Sequence, residues 1–120
     1  MLTPRDRYAL NDIVESARRA LAHLGQLSDD EYYADPLRQD AIFWRMSVIG
    51  EAAWRISSQV RQATPHIPWQ LIRGMRNRIV HDYDNIRLDI VLNTCRHDLK
   101  PLIESIEAVL GDGSSGREEA

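Results

Sequence analysis

Arg76, Asn77, His81 and Tyr83 fall together in one short stretch, IPWQLIRGMRNRIVHDYDN (residues 67–85). These residue types suit cleavage of an RNA phosphodiester without a metal. That reaction needs a base for the 2′-hydroxyl proton, an acid for the leaving 5′-oxygen, and positive charge for the phosphorane between them. Imidazole titrates near neutrality and serves in either proton transfer. A guanidinium holds two phosphate oxygens and offsets the charge that develops on them. Asn77 can orient the imidazole or contact phosphate. One histidine cannot readily perform both transfers at once, and a second copy facing it would supply the other.

Spacing sets a geometric expectation for these groups. A helix advances about 100° per residue. If helix runs through this stretch, Asn77 and His81 share a face, Gly74 lies almost beneath His81, and Arg76 lines up with Tyr83. The four polar side chains then form one edge beside a buried stripe of Trp69, Ile72, Met75 and Ile79. Gly74 would let another backbone come close to that edge. On spacing alone, a solvated helix end is the commoner outcome for such a pattern.

Other candidates carry less. His23 and His97 sit near expected helix ends, where the dipole favours a partly cationic imidazole. His66 lies in a proline loop. No HxxxH pair or histidine–carboxylate cluster suggests a metal site, and no cofactor is expected. Trp44 and Trp54 fit core or interface better than a base-stacking platform. Glu51 is expected to face solvent.

Composition narrows the class. The chain has 120 residues, 43% hydrophobic and 28% charged, which predicts one globular domain. A single cysteine, Cys95, rules out an internal disulfide. No apolar run approaches the ~20 residues of a membrane span. The first residues, MLTPRDRYAL, lack an apolar signal core, so a cytoplasmic protein is expected. The net charge of −3 argues against a generally basic nucleic-acid coat. Yet no acidic residue lies between Glu51 and Asp82, while Arg55, Arg61, Arg73, Arg76 and Arg78 do. A local cationic patch on an acidic protein can hold a phosphate chain. Arg73 and Arg78 are therefore phosphate- or RNA-binding candidates.

The elements that must position these groups read as helices throughout. Thr3-Pro4 is a helix start, and Leu10, Ile13, Val14, Ala17, Leu21 and Leu24 recur at three and four until Gly25. Ser28 and Glu31 have capping-box spacing, which predicts a short turn over 29–34. Asp35-Pro36 opens a long second helix, with an apolar stripe of Leu37, Ala41, Trp44, Val48, Ile49, Ala52, Ile56 and Val60. Only Gly50 weakens it. A third helix starts near Pro68 or Trp69 and is expected to end around Tyr83 to Asn85. A fourth carries Leu88, Val91, Leu92 and Cys95. A kink or break at 98–101 precedes a last helix with Leu102, Ile103, Ile106 and Leu110. The expectation is an all-α, up-and-down bundle of four to five helices over residues 1–110, with a disordered tail at 111–120. No strand or repeat is apparent. The long second helix and its aromatic residues fit a helix-packed homodimer and ordinary core packing equally.

The same residues carry a family resemblance. Ile67-Pro68-Trp69 through Gly74-Met75-Arg76-Asn77, then His81-Asp82-Tyr83, resembles the HepT-like branch of the HEPN ribonucleases. That family's motif is Arg, four residues, His, one residue, Tyr, matched here by Arg76, His81 and Tyr83. QDAIFWRMSVIGEAAWRI (39–56) resembles its second helix, including the Ile-Gly-Glu-Ala segment at Ile49–Ala52, and residues 88–110 resemble its last helices. The likeness covers about residues 5–110. It implies a HEPN-like homodimer whose two motifs line a shared cleft, and a metal-independent endoribonuclease acting as a toxin. Carried over, Arg76 and His81 are catalytic and Asn77 supports them. Tyr83 is the residue to which an MntA-like nucleotidyltransferase antitoxin transfers AMP. The alternative is a non-catalytic helical module that binds nucleotide or RNA for a nucleotidyltransferase. A plain structural dimer with an incidental polar edge is the third reading.

Overall fold

The computed structural model describes the backbone of residues 2–82 and 85–118, with side chains for all of these except 81, 82 and 112–118. Among the described residues the chain forms α1 (Pro4–Leu24), α2 (Asp29–Tyr33), α3 (Pro36–Trp54), α4 (Ser58–Ala63), α5 (Trp69–Arg73) and α6 (Met75–Ile79). A small ribbon, β1 (Val80–Asp82) and β2 (Asn85–Ile86), leads to α7 (Leu88–His97) and α8 (Leu99–Glu118). The architecture is the all-α bundle expected. α1 packs most extensively along α3 and next on α8.

The start signals act as read. The Thr3 hydroxyl accepts from the Asp6 N–H at 3.0 Å, and Pro4 occupies the first turn of α1. Gly25 ends α1 at φ 54°, a conformation that costs glycine least, with its N–H on Leu21 O. Ser28 and Glu31 complete a reciprocal capping box around α2. The α1 face of Ala9, Leu10, Ile13, Ala17 and Ala20 is fully buried. Each buried Leu or Ile side chain contributes roughly 1.5–3 kcal/mol by leaving water.

The second helix departs from expectation in two ways. It ends at Trp54 and does not run on to Val60. Ser57 takes extended backbone (φ −67°, ψ 156°), and its hydroxyl caps α4 by accepting from Val60 N–H. Buried Asp6 holds this break open: its carboxylate accepts from the Ser57 N–H at 2.8 Å, the Ser57 hydroxyl at 2.9 Å and the Thr3 hydroxyl at 3.0 Å. Secondly, the face is different. The core side of α3 is Ile42, Met46, Ile49 and Ala53, whereas Leu37 and Trp44 point outward and are 80% and 62% exposed. In the first half of the stripe read from sequence Leu37 and Trp44 face solvent and Ala41 and Val48 are half-buried, and only its second half is core.

The third helix also differs. Gly74 separates α5 from α6, although Gly74 N–H still reaches Gln70 O and Arg78 N–H reaches Gly74 O. The segment is therefore one kinked helical run ending at Ile79. There β-branched Ile79-Val80 gives way to extended backbone (Val80 ψ 106°), and Arg87 N–H closes onto Ile79 O at 2.7 Å. Val80 pairs with Ile86 in the ribbon, a strand pair that the periodicity did not signal. Trp69, Ile72, Met75 and Ile79 are all buried as expected. The Trp69 indole N–H donates to the Thr64 hydroxyl at 2.9 Å, which in turn donates to Val60 O. The break before the last helix falls at Asp98, and residue 110, the expected domain limit, lies inside α8.

Candidate active site

α3 positions the candidate site through a close crossing. A Cβ built on Gly50 would lie 3.4 Å from Ile72 O and 4.0 Å from Arg76 N. The backbone of α3 therefore presses directly on the α5–α6 junction that carries the motif arginine. Gly74 was expected to provide such an approach and does not: a Cβ there would meet only Gln70 O and Leu71 O, in its own preceding turn. The close approach belongs to Gly50 because α3 crosses on that side of the kinked run.

Arg76 and Asn77 are exposed on α6. The backbone of His81 lies in β1, beyond the end of the helix. The expected helical alignment of Asn77 with His81 therefore does not hold, because the helix stops two residues before His81, and the expected alignment of Arg76 with Tyr83 lies outside the described residues. The His81 side chain and the whole of Tyr83 lie outside the described residues. Arg78 is separated from Arg76 by about 200° of helix. It lines a different concavity, a groove of about 290 Å³ shared with His66, His97, Met75 and Leu102.

Arg18, Arg19, Arg38, Arg55, Arg87 and Arg96 each pair with a carboxylate. Arg61, Arg73, Arg76 and Arg78 have no such partner among the described residues. Arg5, Arg7 and Arg45 also lack one, so what sets this segment apart is the number of its arginines and not their want of partners. Glu51 is exposed as expected, and it too has no ion pair among the described residues. Arg73 is half-buried, its guanidinium carbon 4.0 Å from the ring centroid of Trp54. Desolvation, and then the neighbouring Arg61 charge, hold its pKa below the usual arginine value. Trp54 is 60% exposed, so neither it nor Trp44 is core. Sequence reasoning weighed Trp54 as a stacking platform and set it aside for core or interface, and it counted Arg61 in the acid-free interval without making it a site residue. No group of three or more potential metal ligands occurs among the described residues.

The fold is an all-α bundle whose kinked arginine-bearing helix runs into a short ribbon that carries the His81 backbone. The chain belongs to the HepT-like family, whose model (Ribonuclease HepT-like) matches residues 13–109. It is similar to "Putative RNase MJ0127" of Methanocaldococcus jannaschii, 28% identical over 110 residues, covering 88% of this chain and 91% of that protein. It is also similar to "Putative RNase TTE0752" of Caldanaerobacter subterraneus subsp. tengcongensis, 24% identical over 92% of this chain and 96% of that one. "Probable ribonuclease HepT" of Thermococcus cleftensis is 25% identical over 78% of this chain and 84% of its own. No solved structure matches the chain. No described helix is long and apolar enough to cross a membrane.

Proposed function

We propose that this protein is the ribonuclease toxin of a toxin–antitoxin pair, cutting RNA without a metal ion. The observation that carries the reading is the family match over 13–109, which encloses Arg76, His81 and Tyr83 at the family's spacing. Arg73 and Arg76, which have no carboxylate partner among the described residues, support it. In the reaction, His81 takes the 2′-hydroxyl proton and the 2′-oxygen attacks phosphorus. Arg76 binds the non-bridging oxygens as negative charge grows on them. The P–O5′ bond then breaks, and the leaving oxygen takes a proton from His81 of a second copy. The products are a 2′,3′-cyclic phosphate and a 5′-hydroxyl. Asn77 supports the pair.

A homodimer follows from that division of labour. The open seam of Leu37, Ala41, Trp44 and Val48 on α3, spaced four, three and four, supports it, since that is the pattern of a helix seam facing another helix. AMP transferred to Tyr83 by an MntA-like nucleotidyltransferase would put a fixed phosphate near Arg76, where it competes with the RNA phosphate. A cytoplasmic location fits both partners.

The test is cleavage of RNA in the presence of chelator by the pure protein and by His81→Ala. Loss of cleavage and of growth inhibition in the variant, with the dimer intact, is the expected result. Full cleavage by His81→Ala would remove the mechanism. Intact mass spectrometry after co-expression with a candidate antitoxin tests the modification, with the adduct expected on Tyr83.

A further inference from the structure

We propose that Trp54, Arg73 and Arg61 form a subsite for one nucleotide of single-stranded RNA, the base stacked on the open face of Trp54 and its phosphate held by the two guanidiniums. The inference rests on the ribonuclease reading and adds to it where, and in what form, the strand lies beside the motif.

Four observations carry it. First, Trp54 is 60% exposed although Arg73 lies 4.0 Å over its ring, so the indole keeps open surface for a stacking partner. An indole with one face braced by a guanidinium is a ready stacking surface, and every base has a π-face to offer it. Second, Arg61 is fixed by a 2.7 Å hydrogen bond from its Nη1 to Ile56 O, so it is held at the C-terminal end of α3. Third, desolvation and then the Arg61 charge lower the Arg73 pKa, and neither guanidinium is ion-paired with a carboxylate among the described residues. Arg73 Nε is buried with no hydrogen-bond partner there. Two like charges held together without a counter-ion cost free energy, and an arriving phosphate relieves it. Fourth, the subsite adjoins the motif. Trp54 is one turn of α3, about 6 Å, beyond Gly50, and Gly50 abuts the Arg76 backbone. Stacking on Trp54 requires an unstacked base, so the occupant is single-stranded RNA and not a duplex.

The experiment uses the full-length His81→Ala protein as a non-cleaving binder and a fluorescein-labelled single-stranded RNA octamer, titrated by anisotropy at several salt concentrations. Trp54→Ala on that background is expected to weaken binding about ten-fold, and Trp54→Phe to retain most of it. Arg61→Ala and Arg73→Ala are each expected to lower the salt slope by about 0.7. With His81 restored, Trp54→Ala should raise KM and leave kcat largely unchanged. Unchanged affinity and slope in the Trp54 and Arg73 variants, while wild type still cleaves RNA through His81, would overturn the subsite and leave the ribonuclease reading intact. Absence of both cleavage and binding in wild type would overturn both. Dissociation of the dimer by Trp54→Ala, seen by light scattering, would make Trp54 an interface residue and likewise overturn the subsite.

Discussion

Gly50 of α3 and Ile72 of α5 are held so close that a Cβ on the glycine would sit 3.4 Å from the isoleucine carbonyl oxygen. That distance admits a methyl group at the limit of contact and nothing larger. Gly50→Ala is expected to be near neutral or slightly stabilising, since Ala gains about 1 kcal/mol of helix propensity over Gly. Gly50→Leu should cost about 1–3 kcal/mol through overpacking. It should also lower RNA cleavage by shifting Arg76, whose N–H is the next atom in line. Thermal melts and cleavage rates of the two variants check both statements.

Asp6 ties the start of α1 to the start of α4. Burial pushes its carboxyl pKa up, but the hydrogen bonds from Ser57 and Thr3 together outweigh that and hold it below the usual carboxylate range. A depressed folded-state pKa gives stability that is present above the unfolded value, about 3.9, and lost as pH falls through the folded value. Asp6→Ala should cost about 1–3 kcal/mol at neutral pH because Ser57 loses its acceptor in a buried place. The same variant should flatten the loss of stability below about pH 4. Urea melts from neutral pH down into the acid range where unfolding stays two-state supply the comparison.

Cys95 is buried against Ala20 O, and burial pushes its thiol pKa up to about 11. The reactive thiolate is therefore scarce at pH 8 in the folded protein. Alkylation by iodoacetamide should be slow in buffer and fast in denaturant. Rapid labelling of the native protein would contradict the packing of α7 on α1.

The seam on α3 should govern assembly. Trp44→Glu places a charge among Leu37, Ala41 and Val48 at a position that is 62% exposed. The expected outcome is a folded monomer by sedimentation with an unchanged circular dichroism spectrum. A dimer that survives the substitution would move the interface elsewhere.

Local signals made much of the fold legible. Thr3-Pro4, Ser28 with Glu31, and Asp35-Pro36 start helices because capping is settled within a few residues. The buried run Trp69, Ile72, Met75 and Ile79 was legible from its period. The end of α3 was not, because Ser57 becomes a cap only when Asp6, far off in sequence, arrives to accept its protons. The end of α6 was not, because the ribbon that closes on Ile79 needs Arg87 and Ile86 to fold back. Which half of the α3 stripe is core was decided by where α1 packs.

For the candidate site, residue order alone supplied the family motif Arg76, His81 and Tyr83, since a chemical spacing is written along the chain. It also supplied the acid-free interval rich in arginine. The tertiary structure decided that His81 sits on a ribbon and not on the helix face, that Gly50 rather than Gly74 permits the close crossing, and that Trp54 and Arg73 stack. Each of these depends on contacts between segments distant in sequence, whose geometry is fixed by packing and not by the local preferences of the residues involved.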